Sequence, residues 1–317
     1  MKKKKRFNKR PLKISLICSC IFLILIGTII IGKSFTKDEV NAEPVIVPIT
    51  TTVTTTATSK PNATSTLKNN ETSNESTKNF TVNKEGEKYI YDAAKVSEIL
   101  NYKGKNDNQK IAFLTFDDGP STTVTPKVLD ILKENNVKAT FFLVGQNIEA
   151  NEKSKELVKR EFNEGHAIGN HTYNHNEHNS LFPNNIINVP IFMNDVKKND
   201  DALKNILGQD FSTRILRVPG GYMSRAYYRD PNLPEFDAKL KEKNMISIDW
   251  NAEIKDAEGK ANKTPEELLN VLKEEVGTQE KLVILMHDTY GKMQTANALP
   301  QIIEYLKDKG YEFRTIK

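Results

Sequence analysis

The chain has 317 residues, room for one large domain of roughly 200 residues with appendages. It carries 46 Lys and Arg against 41 Asp and Glu, a formal net charge of +5. Eight of the cations (Lys2, Lys3, Lys4, Lys5, Arg6, Lys9, Arg10 and Lys13) stand in the first thirteen residues, which leaves 38 basic against 41 acidic side chains, or −3, in the remainder. No nucleic acid partner is expected, because that needs a clustered cationic face.

The basic tail, 1–13, precedes an uncharged apolar run at 14–31. Eighteen residues are near the lower limit for crossing a hydrocarbon layer roughly 30 Å thick, and the positive flank predicts an N-terminus inside the cell. A cleaved signal peptide would have a shorter core, roughly 7 to 15 residues, ending in a small-x-small site. Here the run continues to Ile30 and Ile31, so 14–32 is read as a single-pass membrane anchor, with the remainder of the chain extracellular. Both cysteines, Cys18 and Cys20, fall inside this run, so the exported part is left without disulfides or thiolate ligands.

Residues 33–84 are rich in Thr, Ser, Asn and Lys and too poor in large apolar side chains to offset the entropy of ordering them. They read as a disordered stalk with a reach of roughly 40 Å. Residues 85–109 are a lead-in segment with helical spacing at Ala93, Val96, Ile99 and Leu100, and 110–317 read as the catalytic domain. Strands are predicted at 111–116, 139–144, 167–169, 215–218, 245–250 and 282–286. Helices are predicted at 125–134, 154–164, 194–207, 233–243, 265–275 and 298–309, with Pro265 in the opening turn of its helix. Repeated strand–helix units imply an α/β protein with a parallel barrel or open sheet, and such folds place their chemistry just after the strands.

The candidate site residues fall there. Asp117 and Asp118 follow a buried strand, and adjacent like charges are costly unless a cation or a proton separates their roles. His171 and His175, four apart, would share one face of a helix, and two imidazoles with one carboxylate are a catalytic zinc set that keeps a position open for water. His178 is a rival third ligand that would release Asp118. Arg217 ends another apolar run, where a guanidinium can lower and orient a neighbouring carboxylate. Pro219, Gly220 and Gly221 follow it, the glycines allowing close approach of backbone N–H groups. His287, at the end of 282–286, is placed to act as a general acid.

These residues carry a resemblance. The segment 115–119 (Thr-Phe-Asp-Asp-Gly), 171–175 (His-Thr-Tyr-Asn-His), 217–219 (Arg-Val-Pro), Trp250 through Asp256, and 285–287 (Leu-Met-His) resemble, in order, the five motifs of the polysaccharide deacetylases, the NodB-homology carbohydrate esterase family 4. The resemblance implies a distorted (β/α) barrel that removes acetyl groups from N-acetylated sugars with a divalent metal, most often Zn2+, with Co2+ or Ni2+ as alternatives. It makes Asp117 the catalytic base, Asp118, His171 and His175 the metal ligands, His287 the general acid, Arg217 the group orienting Asp117, and Leu285 the lining of the acetyl-methyl pocket. Asp256 is the first choice as the acid beside His287, ahead of Glu253 and Asp249. Gly220 is the candidate oxyanion donor, with Pro219 and Trp250 at the substrate edge. Val218, Gly220 and Ala257 depart from the residues common in the third and fourth motifs.

The implied function is hydrolysis of the N-acetyl group of N-acetylglucosamine or N-acetylmuramic acid in peptidoglycan by a monomeric catalytic domain. The alternatives are deacetylation of chitin, poly-N-acetylglucosamine or xylan, and a catalytically silent wall-binding module.

Overall fold

The computed structural model describes residues 81–102, 104 and 107–317. The basic tail, the anchor, both cysteines and nearly all of the stalk lie outside the described residues. Among the described residues, no helix is long and apolar enough to cross a membrane.

In chain order the elements are β1 (Ile90–Tyr91), α1 (Ala93–Leu100), β2 (Ile111–Gly119), α2 (Thr125–Glu134), β3 (Thr140–Leu143), α3 (Gly145–Ile148), α4 (Glu152–Asn163), β4 (Ala167–Asn170), α5 (Val189–Leu207) and β5 (Ile215–Leu216). There follow α6 (Tyr222–Tyr227), α7 (Leu233–Glu242), β6 (Ile246–Ser247), β7 (Ala252–Glu253), α8 (Pro265–Val276), β8 (Lys281–His287), α9 (Met293–Asp308), β9 (Glu312–Phe313) and β10 (Thr315–Ile316). Four of the helices start where an N-cap side chain accepts one of their free N–H groups. Asp92 caps α1, Asn151 caps α4, and Asn188 caps α5 ahead of a proline in the first turn. Thr264 and Glu267 form a reciprocal capping box on α8.

The main sheet runs β6-β5-β4-β3-β2-β8-β7, every pair parallel, with β9 beside the first residues of β2. Its outer strands, β6 and β7, are consecutive in sequence yet share no ladder. Residues 248–251 join them: Ile248 N–H still donates to Leu216 on the β5 side, while Asn251 N–H donates to Val283 on β8. Five extended Cα steps span at most about 17 Å, so the sheet must curl until its edges nearly meet. The expected barrel is thus a curled sheet open along one seam. The expected strand 245–250 pairs only at 246–247 because its last residues cross that seam.

Alternation along the strands divides the core. On β2, Ala112, Leu114 and Phe116 face the helices, and on β8 Leu282, Ile284 and Met286 do the same. The opposite face begins apolar, with Ile111, Phe113, Phe142, Ile215 and Val283 packed together. It turns polar at the C-terminal ends, where Thr115 and Asp117 stand opposite Leu285 and His287. The lead-in segment, and before it the last residues assigned to the stalk, 81–84, are integral to the fold. β1 pairs with β10, Val82 is fully buried, and the Thr81 backbone and hydroxyl bond to Ile168 and Ser212.

The capping box generates a stability prediction. Thr264→Ala removes the acceptor for the Glu267 N–H and should lower the unfolding free energy by about 1 kcal/mol in urea titration.

Candidate active site

Strand β2 is longer than the expected 111–116 and contains both carboxylates. In a regular strand Asp117 and Asp118 would point to opposite faces. The β2–β3 register shifts between Asp117 and Gly119, and Asp118 takes φ +66°. This irregularity re-aims the second carboxylate. His171 Nε2 consequently lies 3.5 Å from Asp117 Oδ2 and 3.4 Å from Asp118 Oδ1.

The histidine segment is not the helix that its spacing suggested. Thr172 and His175 have φ of +64° and +49°, so 171–175 is a folded loop. The Asp195 carboxylate accepts the N–H groups of Tyr173 and Asn174, Asn170 Oδ1 accepts that of Thr172, and the Thr172 hydroxyl accepts that of His175. With its backbone polar groups satisfied in this way, the loop is held where both rings reach Asp118. His175 Nε2 is 3.3 Å from Asp118 Oδ1, and the two ring centroids are 4.7 Å apart.

These three residues fit a cation. Their donor atoms all lie within 4.8 Å of one another. Asp118 Oδ1 is buried with no hydrogen-bond donor, and His171 Nδ1 meets the Arg217 carbonyl at 2.7 Å. A carbonyl only accepts, so Nδ1 carries the proton and Nε2 of the neutral ring presents a lone pair to the cluster. Burial opposes the Asp118 charge, but His171 and His175, when they carry a proton on Nε2, hold its carboxyl below the usual range. His178, the rival ligand, is exposed and outside the cluster.

Arg217 is fully buried. Its Nη1 donates to Asp117 Oδ1 at 2.8 Å and to the Thr115 hydroxyl at 2.7 Å, its Nε to Ile248 O at 2.9 Å, and its Nη2 to Asp249 O at 3.1 Å. The guanidinium lies 4.2 Å from the Phe142 ring centroid and 5.6 Å from that of Trp250. One oxygen of Asp117 is thus fixed, and the other faces His171.

Across β2, in register with Asp117, stands His287. Its Nδ1 is 2.8 Å from Asp256 Oδ1, and its backbone N–H donates to Asp256 Oδ2 at 2.9 Å. The Thr295 hydroxyl donates to Oδ2 at 2.7 Å, and Lys292 Nζ to the Asp256 carbonyl at 2.8 Å. Burial pulls the His287 pKa down, but Asp256, aided by Asp117 and Asp118, lifts it to about 9.

The other acids considered as partners of His287 are engaged elsewhere. The Asp249 carboxylate accepts the N–H groups of Tyr222 and Met223 at the start of α6. Glu253 lies on β7 near Lys255, its pKa pushed up to about 7 by burial and by Glu258. Leu285 is buried two residues before His287 and shares its face of β8. Pro219 is buried and Gly220 is exposed at φ +69°. The Gly220 N–H has no hydrogen-bond acceptor among the described residues. Trp250 closes against Gly221, where an added Cβ would stand 3.0 Å from the indole.

Several supports escaped the sequence reading. Asp195 and Asn199 occupy core-facing positions of α5 beside Phe192 and Val196, and polar residues on an apolar stripe were the available signal. Asp288 is fully buried behind Gly119, its pKa pushed up to about 7 by burial, with Thr125 donating to its Oδ2.

A parallel α/β sheet that gathers three imidazoles and several carboxylates at its strand ends defines an acid–base site of hydrolytic type. The family model for polysaccharide deacetylase matches residues 104–232. A peptidoglycan-N-acetylglucosamine deacetylase of Bacillus cereus is 36% identical over 221 residues, 68% of this chain and 70% of that one. A bifunctional xylanase/deacetylase of Pseudobutyrivibrio xylanivorans is 35% identical over 221 residues, covering 69% of this chain but only 32% of the relative, so the chain spans about a third of that protein. A Streptococcus mutans CE4 esterase structure matches with a TM-score of 0.67 at 38% identity, over 75% of this chain and 96% of that one. The chain belongs to the polysaccharide deacetylase family and, by its deacetylase relatives, is a hydrolase.

Two predictions follow from the geometry. Arg217→Ala leaves the Asp117 carboxylate buried without its partner and should cost about 3 to 5 kcal/mol in denaturant unfolding; Arg217→Lys, which cannot reproduce the fork, should recover only part of that loss. The raised His287 pKa is also a stability statement. Its contribution is fully present below the ordinary value of 6.5 and is lost as pH rises through about 9. The unfolding free energies of wild type and His287→Gln should therefore converge across that window in urea titrations.

Proposed function

We propose that the protein hydrolyses the N-acetyl group of amino sugars in cell-wall peptidoglycan, with a divalent cation, Zn2+ first, held by Asp118, His171 and His175. The observation that carries this reading is the convergence of both Nε2 atoms on Asp118 Oδ1, with Asp117 within 3.5 Å of the same imidazole. When bound, such a cation polarises the amide carbonyl and acidifies a water.

The chain's own residues supply the proton traffic. Arg217 holds Asp117 Oδ1, so Oδ2 is the oxygen free to take the proton of the attacking water. Hydroxide adds to the acetyl carbon, the C–N bond breaks, and His287 protonates the departing sugar nitrogen through Nε2, since Nδ1 is committed to Asp256. The products are acetate and a free amine. The Gly220 N–H donates to the developing oxyanion, Leu285 lines the methyl pocket, and Pro219 and Trp250 flank the sugar.

The named activity of the Bacillus cereus relative supports the peptidoglycan assignment. A different acetylated polymer is the second reading, favoured by the xylanase/deacetylase relative. The apolar run and the Thr-rich stretch support a membrane-anchored protein whose monomeric catalytic domain faces the wall.

Incubating zinc-loaded protein with acetylated peptidoglycan, chitin oligomers and acetylxylan should release acetate most readily from the first. Asp117→Asn should lower the rate by roughly 10²- to 10⁴-fold, and chelation should abolish activity until Zn2+, Co2+ or Ni2+ is restored. No acetate from any substrate with any of these metals would overturn the reading.

A further inference from the structure

We propose that the Glu177 carboxylate is a specificity-determining group on the rim of the site, favouring uncharged sugar units over units that carry a carboxylate. This rests on the deacetylase reading above and adds a charge filter to it.

Glu177 lies two residues beyond His175, at the start of the short turn Glu177–Leu181. The turn fixes its backbone: the Asn176 side chain caps it by accepting the Asn179 N–H at 3.2 Å, and the Glu177 carbonyl accepts the Phe182 N–H at 2.7 Å. From there the side chain reaches the loop after β5. A Cβ added to Gly220 would stand 2.9 Å from Glu177 Oε2, and the next nearest atoms would also belong to this carboxylate. Glu177 therefore occupies the space that a side chain at position 220 would fill.

Gly220 is three residues beyond Arg217, whose carbonyl holds His171 and whose guanidinium holds Asp117. The carboxylate is half-buried and makes no hydrogen bond or ion pair among the described residues. One unpaired negative charge thus sits against Gly220, beside the Pro219 and Trp250 edge at which the sugar is proposed to bind. Such a group accepts hydrogen bonds from sugar hydroxyls and repels anionic substituents such as the lactyl group of N-acetylmuramic acid or a uronate.

The test compares kcat/KM of the zinc-loaded protein for a neutral N-acetylglucosamine oligomer and for a glycan fragment bearing muramyl carboxylates. Glu177→Gln should raise the anionic-to-neutral ratio by about three- to tenfold, chiefly through KM, and Glu177→Lys should raise it further. The shift should shrink in roughly 0.5 M salt. An unchanged ratio in both variants, or a parallel fall on both substrates, would overturn the role of Glu177 while leaving the deacetylase reading intact. Absence of acetate release by the wild type from either substrate would overturn both.

Discussion

The buried pair between Arg217 and Asp117 is the contact on which the site is built. A guanidinium with no solvent access is tolerable only when most of its donors are used, and here four hydrogen bonds reach a carboxylate, a threonine hydroxyl and two carbonyls of the segment that crosses the open seam. Its own carbonyl meanwhile accepts from His171. One residue therefore links the first strand of the site, the histidine loop and the segment that crosses the seam, and the faces of Phe142 and Trp250 enclose its charge.

Around that pair the two ionisable centres are kept apart in character. Asp118 is surrounded by imidazoles and held as an anion, while His287 is surrounded by carboxylates and held as a cation. The register of β2 with β8 puts Asp117 between them. A base and an acid on adjacent strands, facing one cleft, can serve the two ends of one scissile bond without changing places.

Much of this was legible in the chain. Most of the strand and helix order could be read from apolar runs and the candidate residues from their motifs, whereas Asp256 was only the first of three acids considered beside His287. The geometry of the cluster could not. Spacing suggested a helix for His171 and His175, but buried polar residues on α5 and Asn170 hold a loop with left-handed backbone angles instead. The distortion at Asp118 is equally silent in sequence, because aspartate occupies either backbone region and the deciding factor is the partner strand. The open seam depends on where residues 248–251 cross, which no local propensity encodes.

The entry of the chain into the domain has a directional consequence. Thr81 bonds to residues just before or at the start of β4 and β5, Gly86 packs on the turn before β4, and β1 pairs with the final strand. All of these contacts lie at the N-terminal ends of the sheet strands, whereas Asp117, His171, Arg217 and His287 lie at their opposite ends. The described chain therefore enters the domain, at Thr81, on the side opposite the cleft.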